Sequence, residues 1–195
     1  MAGFALSLYE SGLGPGEVLR RCYGVPFPHE FLILSEPQEM NGDLLVDLFD
    51  QPWQMAVPPE RGGPRTSALP RREEHERALL ARDPDLLPLL VPLGVRERHG
   101  GKTIGYRLSE LAVGRTTVFA LPRDARPGSA IERVGHSLLA LLHEHHADAH
   151  KAARDQYNAP SNRGFGMVDA DEVDELAALL RHVQDLQRRT TEQPQ

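Results

Sequence analysis

Apolar and polar positions are most regularly ordered in residues 86–121, LLPLLVPLGVRERHGGKTIGYRLSELAVGRTTVFAL. Leu89, Val91, Leu93 and Val95 recur at every second position, which places them on one face of an extended chain. Ile104, Tyr106 and Leu108 repeat the pattern after Gly100-Gly101, a pair that can take the positive φ values of a tight hairpin turn. Val118 and Phe119 lie in a third apolar run, residues 116–121, closed by Pro122. Three antiparallel strands are expected here. Upstream, Leu44 to Phe49 follows the Asn41-Gly42 turn signal as a further strand, and Trp53 to Val57 is another strand candidate, ended by Pro58-Pro59.

Helical spacing dominates elsewhere. Residues 1–9 are short and mildly apolar, suited to an edge strand or an extra turn. Val18, Leu19 and Cys22 share a helical face in residues 17–23, with Gly24 as C-cap and Pro26 and Pro28 barring continuation. Pro28 then opens a second short helix through Ser35. Residues 58–70 are Pro/Gly/Arg-rich and read as an exposed loop, and residues 71–82 as a short charged helix with a Glu74–Arg77 pair. Ser129 is a candidate N-cap, with Glu132 completing a capping box, for a helix over residues 130–151. Its apolar stripe is Ile131, Val134, Leu138, Leu141, Leu142 and His145. A last helix, about residues 171–189, carries Val173, Leu176, Leu180 and Val183 at heptad spacing, so it packs back on the domain or forms a homodimer. The order predicts an α+β fold, an antiparallel sheet with helices packed on it plus an extra C-terminal helix. The expected organisation is a domain over 1–152, a linker over 153–167, the helix over 168–189 and a disordered tail over 190–195.

Composition narrows the function classes. The chain has 195 residues, a net charge of −6, 17 Gly and 16 Pro, enough for one sizeable domain with many turns. The acidic balance argues against a nucleic-acid-binding face and suits a basic protein partner. A single cysteine, Cys22, excludes an intramolecular disulfide and a multi-thiolate zinc site, and its setting beside Leu19 and Tyr23 reads as a small core residue. The N-terminus lacks a secretory pattern and no apolar run spans a bilayer, so a cytoplasmic chain without a membrane partner is expected.

Candidate chemistry is sparse. Five of the nine histidines fall in residues 135–150, GHSLLALLHEHHADAH. On a helix His143, His146 and His150 project to one side, where neutral imidazoles could hold Zn²⁺ or Ni²⁺ in a metal-binding protein or metal-dependent enzyme. The competing reading is a solvated helix flank with His145 partly buried, responsive to pH between about 5 and 7. An H-E-x-x-H motif fails, because Ala147 stands where its second histidine belongs. No serine has a G-x-S-x-G elbow, and Gly101-Lys102-Thr103 lacks the first glycine of a phosphate-binding loop, with Arg96 there instead. No catalytic set and no cofactor are therefore expected. Trp53, the only tryptophan, is a candidate partner anchor as well as a candidate half-buried sheet residue, and Arg96, Arg98, His99 and Lys102 make the hairpin tip basic.

The order of several phrases resembles the SUKH superfamily, bacterial immunity proteins and fungal cell-wall synthesis regulators. Gly24-Val25-Pro26-Phe27-Pro28-His29-Glu30-Phe31-Leu32 is similar to the family's opening step into a helix ending in F-L. Leu90-Val91-Pro92-Leu93-Gly94, Gly100-Gly101 and residues 104–108 resemble its central hairpin. Thr117-Val118-Phe119 looks like the following strand, and residues 135–142 like the closing helix. The similarity covers about residues 17–144. It implies a non-catalytic binding module, an antitoxin or immunity protein that neutralises a cognate toxin domain by occlusion. Trp53, Arg96, His99 and Lys102 are the candidate contact residues.

Overall fold

The apolar runs on either side of the glycine turn form adjacent strands β2 (Leu86–Pro92) and β3 (Lys102–Arg107), and the third run forms β4 (Val118–Pro122). The computed structural model of the chain describes residues 1–36, 44–64, 83–93, 101–122, 131–159 and 167–192. Gly101 enters β3 with φ 72°, a left-handed conformation that glycine takes without a Cβ penalty. Two outer strands, β1 (Val46–Leu48) beside β2 and β5 (Glu132–Gly135) beside β4, complete a five-stranded sheet in the order β1-β2-β3-β4-β5. Every neighbouring pair is antiparallel. Seven α-helices occur among the described residues: α1 (Ala2–Glu10), α2 (Pro15–Tyr23), α3 (His29–Ser35), α4 (Asp50–Ala56), α5 (Leu108–Ala112), α6 (Leu138–Tyr157) and α7 (Ala170–Glu192). This is the α+β arrangement the residue pattern predicts, helices packed on an antiparallel sheet.

One extra residue in β2 sets how the sheet divides its side chains. Pro88 pairs with Gly105 and Leu90 with Ile104, so Leu89 is a bulge with no opposite number. Leu87, Leu89 and Leu90 consequently all join the main core, together with Ile104, Tyr106, Val118 and Ala120. Leu86 and Val91 turn to the other face, where they cluster with Phe49, Phe119, Leu121 and Ile131. The alternation read from the sequence fails at this point. Leu89 and Val91 lie on opposite faces, and Leu93 is about half exposed. Ile104 and Tyr106, on the unbulged strand, share a face as expected. Gly105 is obligatory beside the bulge, because a Cβ there would stand 2.3 Å from the Leu87 carbonyl oxygen.

The helices assemble on the main core. Pro15 opens α2 and Gly24, at φ 75°, closes it in the left-handed conformation that commonly ends helices. Phe27, Phe31 and Trp53 form a chain of ring contacts from the α2–α3 junction into α4. The C-terminal helix α7 packs on α6 and α3 through Leu179, Val183 and Leu186, and Val183 and Leu186 belong to the main core. The inward stripe is thus displaced from the heptad Val173, Leu176, Leu180 and Val183, of which only Val183 is fully buried. Arg189 on α7 reaches Glu36 at the end of α3 at 2.6 Å, an exposed pair of small energetic weight.

Other elements also differ from their sequence expectations. Residues 2–10 are helical rather than an edge strand or a turn, since Ala2, Ala5, Leu8 and Tyr9 all meet the core. Residues 53–57 alternate like a strand, yet Pro52 leads into the helical part of α4, and Trp53, Met55 and Ala56 bury themselves around a helical turn. The helix expected over 130–151 is divided: Glu132–Gly135 pairs with β4, and α6 begins after Ser137, whose Oγ accepts from the Ala140 N–H at 3.1 Å. Ser137, not Ser129, is the cap. At the other end α6 continues to Tyr157, into the expected linker, and α7 continues to Glu192, into the expected tail. The helix expected over 71–82 lies outside the described residues, as does the Asn41-Gly42 turn.

Gly105→Ala should lower the free energy of unfolding by more than about 2 kcal/mol, measured by urea denaturation, since a backbone oxygen cannot yield to the new methyl. Val183→Asp should cost about 3 kcal/mol or more in the same assay, because it places a carboxylate in the α3–α6–α7 seam.

Candidate functional site

Glu30 is the most heavily engaged polar side chain of the core. It lies in the first turn of α3 and is buried. Its Oε1 accepts from the Tyr106 hydroxyl at 2.8 Å and from the Leu138 N–H at 2.9 Å. Its Oε2 accepts from Ser137 Oγ at 2.5 Å and from the Leu139 N–H at 3.3 Å. All four partners donate, so the carboxyl group works purely as an acceptor. Two of them are the otherwise unpaired amides at the start of α6, where the helix dipole also favours negative charge. Tyr106 is fully buried, and its hydroxyl is pushed well above the usual phenol range by desolvation and by the adjacent Glu30. It remains a donor at any pH the fold meets. The site is a tertiary helix cap assembled from three elements.

A second polar node sits where α6 meets β1. His145 Nε2 lies 2.8 Å from the Leu45 carbonyl oxygen, and His146 Nδ1 lies 2.7 Å from the Leu142 carbonyl oxygen. Carbonyl oxygens only accept, so each of those ring nitrogens carries its proton. His146 Nε2 then accepts from the Leu45 N–H at 3.4 Å. Both main-chain polar groups of Leu45 are therefore held by adjacent histidines, and the Leu45 carbonyl also accepts from the Leu93 N–H at 3.0 Å. His146 is completely buried, and desolvation lowers its pKa to about 4 against the helping Leu142 carbonyl, with His145, His143 and His182 adding to the depression.

This geometry corrects the metal reading of His143, His146 and His150. The ring nitrogens of His146 are occupied by main-chain partners, and His143 Nε2 lies 3.3 Å from the Gln184 side-chain amide on α7. Among the described residues, no group of three or more His, Cys, Asp or Glu side chains is placed to hold a metal ion. His145, expected to be partly buried, is buried beside its neighbour, and the two rings meet edge to face at 5.1 Å. The Cys22 thiol is raised in pKa by burial, which disfavours the thiolate and fits its packing at the margin of the core.

The contact candidates separate. Trp53 is no exposed anchor: it stacks on Phe31 with ring centroids 4.3 Å apart and donates its indole N–H to the Leu89 carbonyl at 2.7 Å. Its burial follows from α4 being a helix with this face turned inward. Lys102 stands at the start of β3 in an exposed ion pair with Glu132 at 2.7 Å. Arg96 and His99 lie outside the described residues. Large apolar side chains left exposed, such as Phe4, Val113 and Met167, are on different elements. No helix among the described residues is long and apolar enough to cross a membrane.

Sequence reasoning missed Glu30. The available signal was the P-x-E-F phrase, which puts an acidic residue on the inward side of a helix otherwise made of Phe31, Ile33 and Leu34. No protein-family model matches this chain, and no curated protein or solved structure matches it.

Glu30→Ala should destabilise the fold by about 3 kcal/mol, since it strands several buried donors at once. Tyr106→Phe should cost only about 1 kcal/mol, because the carboxylate keeps three donors. Adding the second change to Glu30→Ala should cost less than it does alone, a coupling that a double-mutant cycle in urea reads directly.

Proposed function

We propose that this protein is a non-catalytic protein-binding module of the SUKH-like kind, acting in the bacterial cytoplasm as an immunity protein or antitoxin that occludes a cognate toxin domain. The observation that carries this reading is the convergence at Glu30. Three segments that resemble the family, residues 24–32, 104–108 and 135–142, supply Glu30, Tyr106, and Ser137 with Leu138 and Leu139. Phrases far apart in the chain are thereby tied into one hydrogen-bonded scaffold, as expected if their order reflects a shared architecture. The buried Glu30, His145 and His146 all serve main-chain or capping partners, which suits a scaffold whose work is done by its exposed surface. The acidic net charge of −6 suits association with a basic partner through charge steering.

Purification of the tagged protein from its host, with mass spectrometry of co-eluting chains and metal analysis of the same sample, tests the reading. The expected result is a stoichiometric partner with a toxin-like C-terminal domain and no bound metal, and relief of that domain's toxicity on co-expression. About one equivalent of tightly held metal with no partner would overturn it.

A further inference from the structure

Strand β1 is short, and its approach is fixed by groups that can change charge. Leu45, which precedes it, is gripped at both main-chain polar atoms by His145 and His146. Beyond Leu45, β1 is an edge strand of the described sheet and pairs with β2 in the register Val46 to Pro92, Asp47 to Val91 and Leu48 to Leu90. Phe49 extends this ladder, its N–H reaching the Leu89 carbonyl at 3.0 Å.

The neutral form of His146 is required by the geometry. Its Nδ1 proton points at the Leu142 carbonyl, which leaves Nε2 as the acceptor for the Leu45 N–H. A proton added at Nε2 would set one N–H against another and place a charge on a fully buried ring. The ionisable groups that act on it are His143 and His145 on α6 and His182 on α7. His182 is itself lowered in pKa by burial, with Asp185 raising and Arg189 lowering it. None of the three histidines offers a negative charge to offset a charge on His146, and each would add repulsion once protonated.

We propose that His146 is a pH-sensitive latch on the approach to β1: acidification takes the Leu45 N–H off its acceptor and opens β1 from β2 while β3 and β4 stay paired. The sign follows from linkage. The latched ring holds its pKa at about 4, whereas a released ring titrates near 6.5. Protons therefore favour the released form, the latch is at full strength above pH 6.5, and it weakens as pH falls toward 4. Between pH 7 and pH 5 the released population should rise about 20-fold.

Long-range ¹H–¹⁵N correlation spectra of the histidine rings in the whole chain at pH 7.5 give the first test. His146 is expected as the Nδ1–H tautomer, and an Nε2–H tautomer or a midpoint near 6.5 would overturn the latch. Amide exchange gives the second. Protection factors at residues 45–48 should drop about 20-fold from pH 7 to pH 5, with those of Ile104 and Ala120 unchanged. Constant protection at β1, or an equal loss across the sheet, would overturn it. In His146→Gln the pH dependence at residues 45–48 should vanish, and its persistence in a folded variant would count against the proposal. The tautomer and exchange pattern of the unaltered chain decide the matter even if that variant does not fold.

Discussion

A carboxylate can stay inside a protein only where donors replace the water it gives up, and the four donors around Glu30 dictate how the helical layer meets the sheet. Tyr106 comes from the middle of β3 and can reach Glu30 only from the helix-facing side of the sheet. Ser137, Leu138 and Leu139 can offer their donors only if α6 starts at that point, directly after β5. Helix α3 must then lie with its first turn against both. One side chain thus fixes α3 against β3 and α6, whose partners lie 76 and 107 residues further along the chain. Because a misplaced element leaves a buried charge uncompensated, this arrangement penalises alternative packings more than an equivalent apolar contact would.

The bulge at Leu89 plays the corresponding role at the other side of the sheet. It turns a strand with one core face into one that gives the helices two consecutive leucines, Leu89 and Leu90. The Leu89 carbonyl faces β1 in the regular register, where it accepts from the Phe49 amide at 3.0 Å and from the Trp53 indole. That carbonyl therefore connects α4 to the end of β1. Gly105 is the compensating residue on the facing strand, kept small by the close approach of the Leu87 carbonyl. Bulges are enriched where a sheet must re-aim a group, and here the re-aimed group is the Leu89 side chain, turned into the main core.

What was legible in the sequence is what depends on local chemistry. Pro15, Gly24 and Pro28 punctuate α2 and α3, and the Gly-Gly turn with its flanking apolar runs marks β2 and β3. What was not legible depends on partners distant in the chain. Residues 53–57 satisfy a period of two as well as a helical turn, and only burial against Phe31 and Leu89 selects the helix. Ile131 and Val134 fall in line with the α6 stripe by coincidence, and the pairing of Glu132, Arg133 and Gly135 with β4 decides otherwise. A bulge leaves no mark in a run of leucines, so Leu89 and Val91 look equivalent although they face opposite ways. The histidines could be seen to share a helix, but the acceptor that orients His145 lies 100 residues away.

These two nodes respond differently to protons, and the difference follows from what each one binds. Glu30 is surrounded by donors, including a phenol whose ionisation is suppressed by burial. His146 is held between an acceptor and a donor, an arrangement only the neutral imidazole can satisfy. The helix-to-sheet scaffold and the edge strand are consequently under separate control. Acid acts on β1 through His146, whose Nε2 holds the Leu45 N–H. A binding module built this way can alter one edge of its sheet through a histidine bonded to Leu45 and Leu142, while Glu30 holds Tyr106 and the start of α6.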